Sequence, residues 1–409
     1  MMADSVDTLV VGAGPAGSAA AIWAARGGHT VTLVDRAQFP RDKCCGDGLT
    51  PRAIAELDAL GGGDWIRTQR CQTGVALAMF GRTYAMPWPG GAFPALSAVV
   101  PRTVLDHWLV RCAVDSGATM LSKARVTDVI LTDGRIAAVE VQEGSIRRRI
   151  GCRTVIVADG AGSPVGSLLG RRWRRDKMYA VAARSYMESP LGDGDVMTVT
   201  FGDALTGALV TGYGWLFPTG DGLANVGYGQ IVTDKLPLPA ASRAMHDRFI
   251  GEMRDRWQLR GAPLNYAAAP LSIGGMVTGV AGPNWMLVGD AACGTNPVTG
   301  EGIDFALESG RMAAELLGAV DDFTAAWPRR LTRAYGHSLA GERKITRLIS
   351  EHPRLAGRLV PLLMSSGRRG RFVLRTATNL IGQHDRDVTA RIHGSVNAIA
   401  QRSEHPMFL

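Results

Sequence analysis

A glycine fingerprint set between two strand-like runs constrains this chain more than any other feature. Residues 6–11 (VDTLVV) read as a buried strand, and Gly12-x-Gly14-x-x-Gly17 follows without a gap. Residues 18–26 are alanine-rich and helical in pattern, and residues 30–34 form a second strand that ends at Asp35. This is the order of a βαβ unit that binds a dinucleotide. The first glycine permits the tight turn and the second lets backbone approach a pyrophosphate. The third lets helix and strand pack closely, with the helix N-terminus aimed at the phosphates. Asp35 lies 21 residues beyond Gly14, where a carboxylate accepts hydrogen bonds from an adenosine ribose. Gly12, Gly14, Ala16, Gly17, Asp35 and Arg36 are therefore the first candidate cofactor residues.

The fingerprint alone serves NAD and FAD equally, and two distant segments separate them. Residues 155–164 (VIVADGAGSP) read as a strand ending in Asp159-Gly160. Residues 285–292 (WMLVGDAA) read as another, ending in Gly289-Asp290 and followed by Pro297 and by Gly300-Glu301-Gly302 at a helix start. A carboxylate at a strand end can accept hydrogen bonds from a ribityl chain. A helix beginning near Gly302 and Ile303 aims its positive end at the flavin pyrimidine edge, where the reduced ring carries negative charge. Three segments in this order point to FAD. No second GxGxxG occurs, so a reductant, whether NAD(P)H or a protein electron donor, has to dock transiently.

The remainder alternates between helix and strand. Residues 105–116 have helical spacing, and residues 124–131 and 136–142 alternate as strands around Asp133-Gly134. Residues 178–278 are rich in β-branched and aromatic side chains broken by Gly and Pro, the composition of a sheet. The expected fold class is α/β, a glutathione-reductase-like FAD-binding Rossmann domain with an inserted antiparallel-sheet substrate domain and a helical C-terminal extension. FAD-domain segments are expected at residues 1–75, 101–177 and 279–323. Residues 76–100 and 178–278 are assigned to the substrate domain, and residues 324–409 to the extension.

Further residues gain meaning from a resemblance. The order GxGxxG, Asp159-Gly160, Gly289-Asp290 resembles the p-hydroxybenzoate-hydroxylase-like flavoproteins. Within these, residues 39–52 (FPRDKCCGDGLTPR) are similar to the signature of the geranylgeranyl reductase family. The resemblance spans nearly the whole chain and is strongest to the actinobacterial branch that saturates one isoprene double bond of the menaquinone side chain. It implies that Arg41 and Arg102 lie near the FAD phosphates or ribityl-adenosine part. It also implies that Val126 holds the adenine through its backbone, and that Cys45 and Gly46 sit beside the isoalloxazine ring. The family position before the cysteine is usually proline, whereas here it is Cys44. Cys293 follows Gly289-Asp290 closely enough to suggest a redox pair with Cys45, the alternative being two ordinary buried thiols.

Residues 212–218 (GYGWLFP) resemble the family's substrate-cavity motif. Strand alternation sends Tyr213, Trp215 and Phe217 to one face, as a greasy isoprenoid tunnel requires. The implied activity is FAD-dependent reduction of an isoprenoid C=C bond in a polyprenyl quinone or a geranylgeranyl lipid, with Cys45 and Tyr213 as catalytic candidates. Two rivals share the scaffold, an aromatic monooxygenase and a membrane-associated flavin redox sensor without catalytic turnover.

Charge bears on location. From residue 324 onward there are 15 Lys and Arg against 5 Asp and Glu, on a nearly neutral body. This basic, amphipathic extension, with Ile345, Leu348, Ile349, Leu362 and Leu363 at helical spacing, suits the anionic inner face of a cell membrane. Nucleic acid is not expected, because the arginine clusters lack interleaved aromatics. Six cysteines without CxxC spacing suggest a reducing cytosol. Eight histidines without HxxxH spacing suggest no metal. The pattern specifies no oligomeric state.

Overall fold

The computed structural model describes residues 5–79, 82–201, 212–238, 240–364, 367–382, 385–402 and 407–408. Two sheets carry the architecture. The first is parallel at its centre, in the order Trp285–Leu287, Ile146–Val157, Ser5–Val11, Val31–Val34, Thr119–Leu121. Ser5–Val11 lies in the middle and is buried from Thr8 to Val11, as a strand covered on both faces must be. Helix Pro15–Arg26 packs beside it against both Arg102–Asp115 and Ile303–Ala314. At Gly310 a side chain would run into the Ala16 carbonyl, so small residues set the spacing of the first and last of these helices.

Ile146–Val157 is longer than the apolar run at residues 155–158 implies. Its first half pairs antiparallel with Arg135–Glu143, which pairs in turn with Ala124–Thr132. Arg147 and Arg149 point away from the core there, so no apolar pattern marks this part of the strand.

The second sheet has seven strands in the order Arg260–Leu271, Met178–Glu188, Leu223–Thr233, Gly212–Gly220, Val196–Phe201, Gly74–Met79, Arg82–Pro87. Gly74–Met79 joins it in parallel beside Val196–Phe201, and the other pairings are antiparallel. Helix Ser242–Met253 covers one face, and a side chain at Gly214 would strike the Phe249 ring. Gly214 and Leu216 thus face this helix, while Tyr213, Trp215 and Phe217 face the opposite way. A small third sheet, Gly48–Leu49, Ser97–Val99 and Arg70–Gln72, anchors the end of the segment that holds both adjacent cysteines.

The C-terminal region is helical, with His337–Glu351, Pro353–Met364, Gly367–Ala377 and Val388–Arg402. Met407 and Phe408 return to the main core as buried side chains.

Candidate flavin and substrate site

The fingerprint loop has the shape its sequence requires. Gly12 sits at φ +97°, and a side chain there would overlap the Ala158 carbonyl. Gly17 lies so near Gly12 that a side chain would strike its carbonyl oxygen. Gly14 differs, because the only atom near a Cβ there would be the Arg41 guanidinium, at 3.6 Å. Open space bounded by a helix N-terminus and an arginine is a cradle for a pyrophosphate. Asp35 is buried and accepts hydrogen bonds from Ala13 N at 2.8 Å and Ala37 N at 2.7 Å, fixing both turns where a ribose would lie. Arg36 beside it is exposed. Val126 lies on a strand that pairs with Arg135–Glu143, opposite Val141. Ala16 packs against Gly289, joining the first turn to the last.

The two distant acids differ in duty. Both oxygens of Asp159 serve its own turn, accepting from Ser163 Oγ at 2.5 Å and Val165 N at 2.8 Å, while Gly160 takes φ +86°. Asp290 instead pairs with Lys43 at 3.1 Å and with Thr295 Oγ1 at 3.2 Å. Burial favours its neutral form, but Lys43, Arg102 and the Thr295 hydrogen bond together hold its carboxyl below the usual range. Gly302 caps helix Ile303–Ala314 without a side-chain bond.

Arg102 is buried and bonds Asp106 through two nitrogens, at 2.8 and 2.7 Å, and Arg41 reaches the same carboxylate at 2.9 Å. Asp106, which no sequence motif marks, therefore aligns both arginines. Lys43 was equally hidden, since its partner lies 247 residues away.

The cysteine segment lies directly on the aromatic row. Side chains at Gly46 and Gly48 would press on Phe217 and Trp215 at 3.0–3.2 Å. Tyr213, Trp215 and Phe217 stand in line, with ring centroids 5.9 and 6.3 Å apart. The Tyr213 hydroxyl donates to the Thr299 carbonyl at one end of the row, beside Gly300, where a side chain would displace it. Trp215 Nε1 donates to Asn225 Oδ1 at 3.0 Å, and Asn225 Nδ2 donates to Cys45 O at 2.9 Å and to Asp47 at 2.8 Å. Tyr186 completes this set with a 2.5 Å bond to Asp47. Wholly buried Arg184 clamps Asp42 at 2.6 and 2.7 Å. Asn225, Tyr186 and Arg184 thus hold the cysteine segment against the sheet. A polar residue within an apolar strand was the one sequence sign of them.

Burial pushes the Cys45 thiol up despite nearby Arg102, so it stays protonated at neutral pH. Cys44 and Cys293 are each pushed up to about 12, chiefly by burial. All six cysteines are free. Cys293 receives Arg171 Nη2 at 3.5 Å, whereas Cys45 receives Asp47 N at 3.3 Å, so Cys45 and Cys293 form no disulfide here. Tyr213 is also raised, by burial first and then by Glu301 and Cys45.

Burial lifts Asp47 to about 6, against the hydrogen bonds of Tyr186 and Asn225. A raised carboxyl stabilises the fold fully below its unfolded value of 3.8 and loses that contribution as pH rises through 6. The shift corresponds to about 3 kcal/mol. Asp47→Asn should therefore gain stability relative to the parent between about pH 4 and 7. Urea titrations at several pH values test this, and a constant difference between the two proteins would contradict it.

An open glycine loop beside an arginine, acids at three strand ends and a row of aromatic rings fit a flavoprotein oxidoreductase. A family model described as FAD binding domain matches residues 5–192. Menaquinone reductase of Mycolicibacterium smegmatis is 44% identical over 400 residues, covering 97% of each chain. Digeranylgeranylglycerophospholipid reductase 2 of Methanopyrus kandleri is 30% identical over 331 residues, 79% of this chain and 80% of that one. A geranylgeranyl bacteriochlorophyll reductase-like protein of Thermoplasma acidophilum shares the fold, with a TM-score of 0.69 at 22% identity over 98% of this chain and 97% of that one. The chain belongs to the family of menaquinone reductases and related geranylgeranyl reductases, FAD-dependent enzymes that act on C=C bonds.

Proposed function

We propose that this enzyme saturates an isoprene double bond in the side chain of menaquinone. Full-length identity of 44% to a menaquinone reductase supports the quinone over a glycerophospholipid. The row Tyr213, Trp215, Phe217 supports an isoprenoid in either case. Gly12, Gly14, Arg41 and Arg102 would hold the FAD phosphates, Asp35 the ribose, and Asp159, Asp290 and the start of helix Ile303–Ala314 the flavin end. Arg36, Val126, Gly160, Gly289, Gly300, Gly302 and Ile303 complete the proposed binding surface. Bound FAD, once reduced by NAD(P)H or a protein donor in transient contact, would supply the hydride.

An isolated trisubstituted alkene has no carbonyl to take up charge, so a proton must reach its other carbon. Tyr213 and Cys45 both keep their protons at neutral pH, because burial opposes ionising either. We assign proton delivery to Tyr213, whose hydroxyl stands at the end of the aromatic row. Positive charge developing on the tertiary carbon would meet the faces of Trp215 and Tyr213, worth about 1–2 kcal/mol when desolvated. Tyr213→Phe is expected to lower kcat about 10²-fold or more with KM nearly unchanged. Full turnover would remove Tyr213 from this role and leave Cys45 as the candidate.

The substrate assignment is tested by offering menaquinone and a digeranylgeranyl glycerophospholipid side by side. At least tenfold faster saturation of the quinone is expected, and the opposite order overturns it.

Among the described residues no helix is long and apolar enough to cross a membrane. The C-terminal helices nevertheless expose Ile345, Leu348, Leu362 and Leu363, with Lys344, Arg347 and Arg354 interspersed. We infer that this surface rests on an anionic bilayer, from which the substrate is drawn. Flotation with phosphatidylglycerol vesicles should recover the protein, less so at high salt or in an Ile345→Ser/Leu348→Ser variant. Equal recovery with neutral vesicles would contradict an electrostatic contribution.

A further inference from the structure

Behind the loop that carries Gly300 and Gly302 lies a cavity of about 20 Å³, which the reaction as described above does not use. Arg52, Asn296, Glu301, Asp304, Tyr335 and Glu342 line it. Three elements converge there: the loop before helix Ile303–Ala314, that helix itself, and helix His337–Glu351. Arg52 is committed to Glu308, at 2.6 Å, and also donates to Asn379 O at 3.3 Å. Glu342 is 3% exposed, and neither of its carboxyl oxygens has a hydrogen-bond partner among the described residues. Glu301 Oε2 is buried and equally unpartnered.

Two unpaired carboxylates facing one small space would repel each other and forfeit solvation, which favours the protonated form of each. The volume admits one water, and the polar lining supplies the partners a buried water needs. The site connects to the reaction through Glu301, which follows Gly300 directly. Gly300 lies against the Tyr213 hydroxyl, so Glu301 is the next residue after the one that touches the phenol.

We propose that Glu301 and Glu342, bridged by one water in this cavity, store the proton that each alkene reduction consumes and pass it to Tyr213. The inference rests on Tyr213 as the donor in the reading above. Saturation adds a hydride and a proton to the double bond. The hydride brings the electron pair, so the cofactor is oxidised and the alkene reduced. The Tyr213 O–H bond breaks as a C–H bond forms, after the hydroxyl has turned away from the Thr299 carbonyl. The Glu301 O–H bond breaks and re-forms on the phenol oxygen, so no buried tyrosinate accumulates. Glu342 reloads Glu301 through the water, and solvent recharges Glu342 before the next turnover.

The groups facing Glu342 are Glu301, Asp304, Arg52 and Tyr335, with Arg343 next to it on its own helix. Burial first, and then Asp304, lifts Glu342 to about 8 in spite of Arg52 and Arg343. Glu301 is lifted well above its usual value by burial, Asp304 and Glu342. Burial thus favours the protonated form of each, and the store should empty as pH rises past about 8, where Glu342 gives up its proton.

The test uses the FAD-loaded enzyme and the variants Glu301→Gln and Glu342→Gln, which keep shape and neutrality. Infrared spectra of the oxidised enzyme, without substrate, should show protonated-carboxyl bands at neutral pH, and each variant should lose one. In single turnover with prereduced enzyme, Glu301→Gln should slow side-chain saturation about 10²-fold, while the rate of flavin reduction by dithionite is unchanged. Glu342→Gln should spare the first turnover and slow the following ones. Absence of the bands, or bands lost with no change in saturation rate, overturns the proposal. Lack of any saturated product from the parent enzyme would instead overturn the substrate reading, and the infrared bands would still report on the carboxyl pair.

Discussion

Asp106→Ala is expected to cost about 3–5 kcal/mol of stability, the usual consequence of stripping a partner from a buried charge. Asp106 is fully buried, and Arg102 beside it is 3% exposed. Its carboxylate takes two bonds from Arg102 and an ion pair from Arg41. Without it, Arg102 would keep its charge in the interior, since a guanidinium cannot discharge at any ordinary pH. Both arginines would also lose their alignment, Arg41 beside the Gly14 opening, so FAD retention should fall along with stability. The double variant Arg102→Met/Asp106→Leu separates the two effects. Removing both charges should restore most of the stability, because a buried ion pair is often replaceable by apolar side chains of similar size. FAD affinity should stay low. Urea denaturation followed by flavin fluorescence of the gel-filtered protein reads both quantities. A double variant as unstable as Asp106→Ala would contradict the charge-burial explanation.

Trp215→Ala is the second large effect, at about 3–5 kcal/mol. The indole is 5% exposed and lies between Tyr213 and Phe217, so truncation leaves a void in the middle of the row. It also releases Asn225, whose other bonds hold Cys45 O and Asp47. The damage should therefore spread from the wall to the cysteine segment. Trp215→Phe keeps most of the ring but leaves the Asn225 carbonyl unpaired, at about 1–3 kcal/mol. Stability should follow the order parent, Phe, Ala, while KM for the prenyl substrate rises chiefly in the alanine variant. Calorimetric melting with steady-state kinetics checks the order. Equal losses for Phe and Ala would place the whole effect in the Asn225 bond.

What could be read in advance divides by distance along the chain. The Gly12–Asp35 unit is local, and each of its residues does a job that backbone geometry dictates, so sequence spacing suffices to find it. The face shared by Tyr213, Trp215 and Phe217 follows from the period of a strand. Asp106 and Arg102 sit four apart on one helix, so only the reach of Arg41 to Asp106 was hidden there. Lys43, Asn225 and Arg184 are different. Each acts through a partner brought close only by tertiary folding, and sequence spacing says nothing of such pairs except where a charged residue interrupts an apolar run. Asp159 shows the reverse, because its motif identifies the residue but not its commitment to Ser163 and Val165. Glu301 stood in view within Gly300-Glu301-Gly302, yet its partner Glu342 lies on a helix whose basic residues suggest only a solvated surface.

Anaerobic incubation of the dithionite-reduced protein with menaquinone, then mass analysis after exposure to air, is the most direct trial of this enzyme's chemistry. Reduction of the quinone ring also adds two hydrogens, but the quinol gives them back to oxygen. A gain of two hydrogens that survives air and resides in the side-chain fragment is the expected result. Product that returns to the starting mass would mean that electrons reach the ring alone, and that the aromatic wall does not present an isoprene double bond to the flavin.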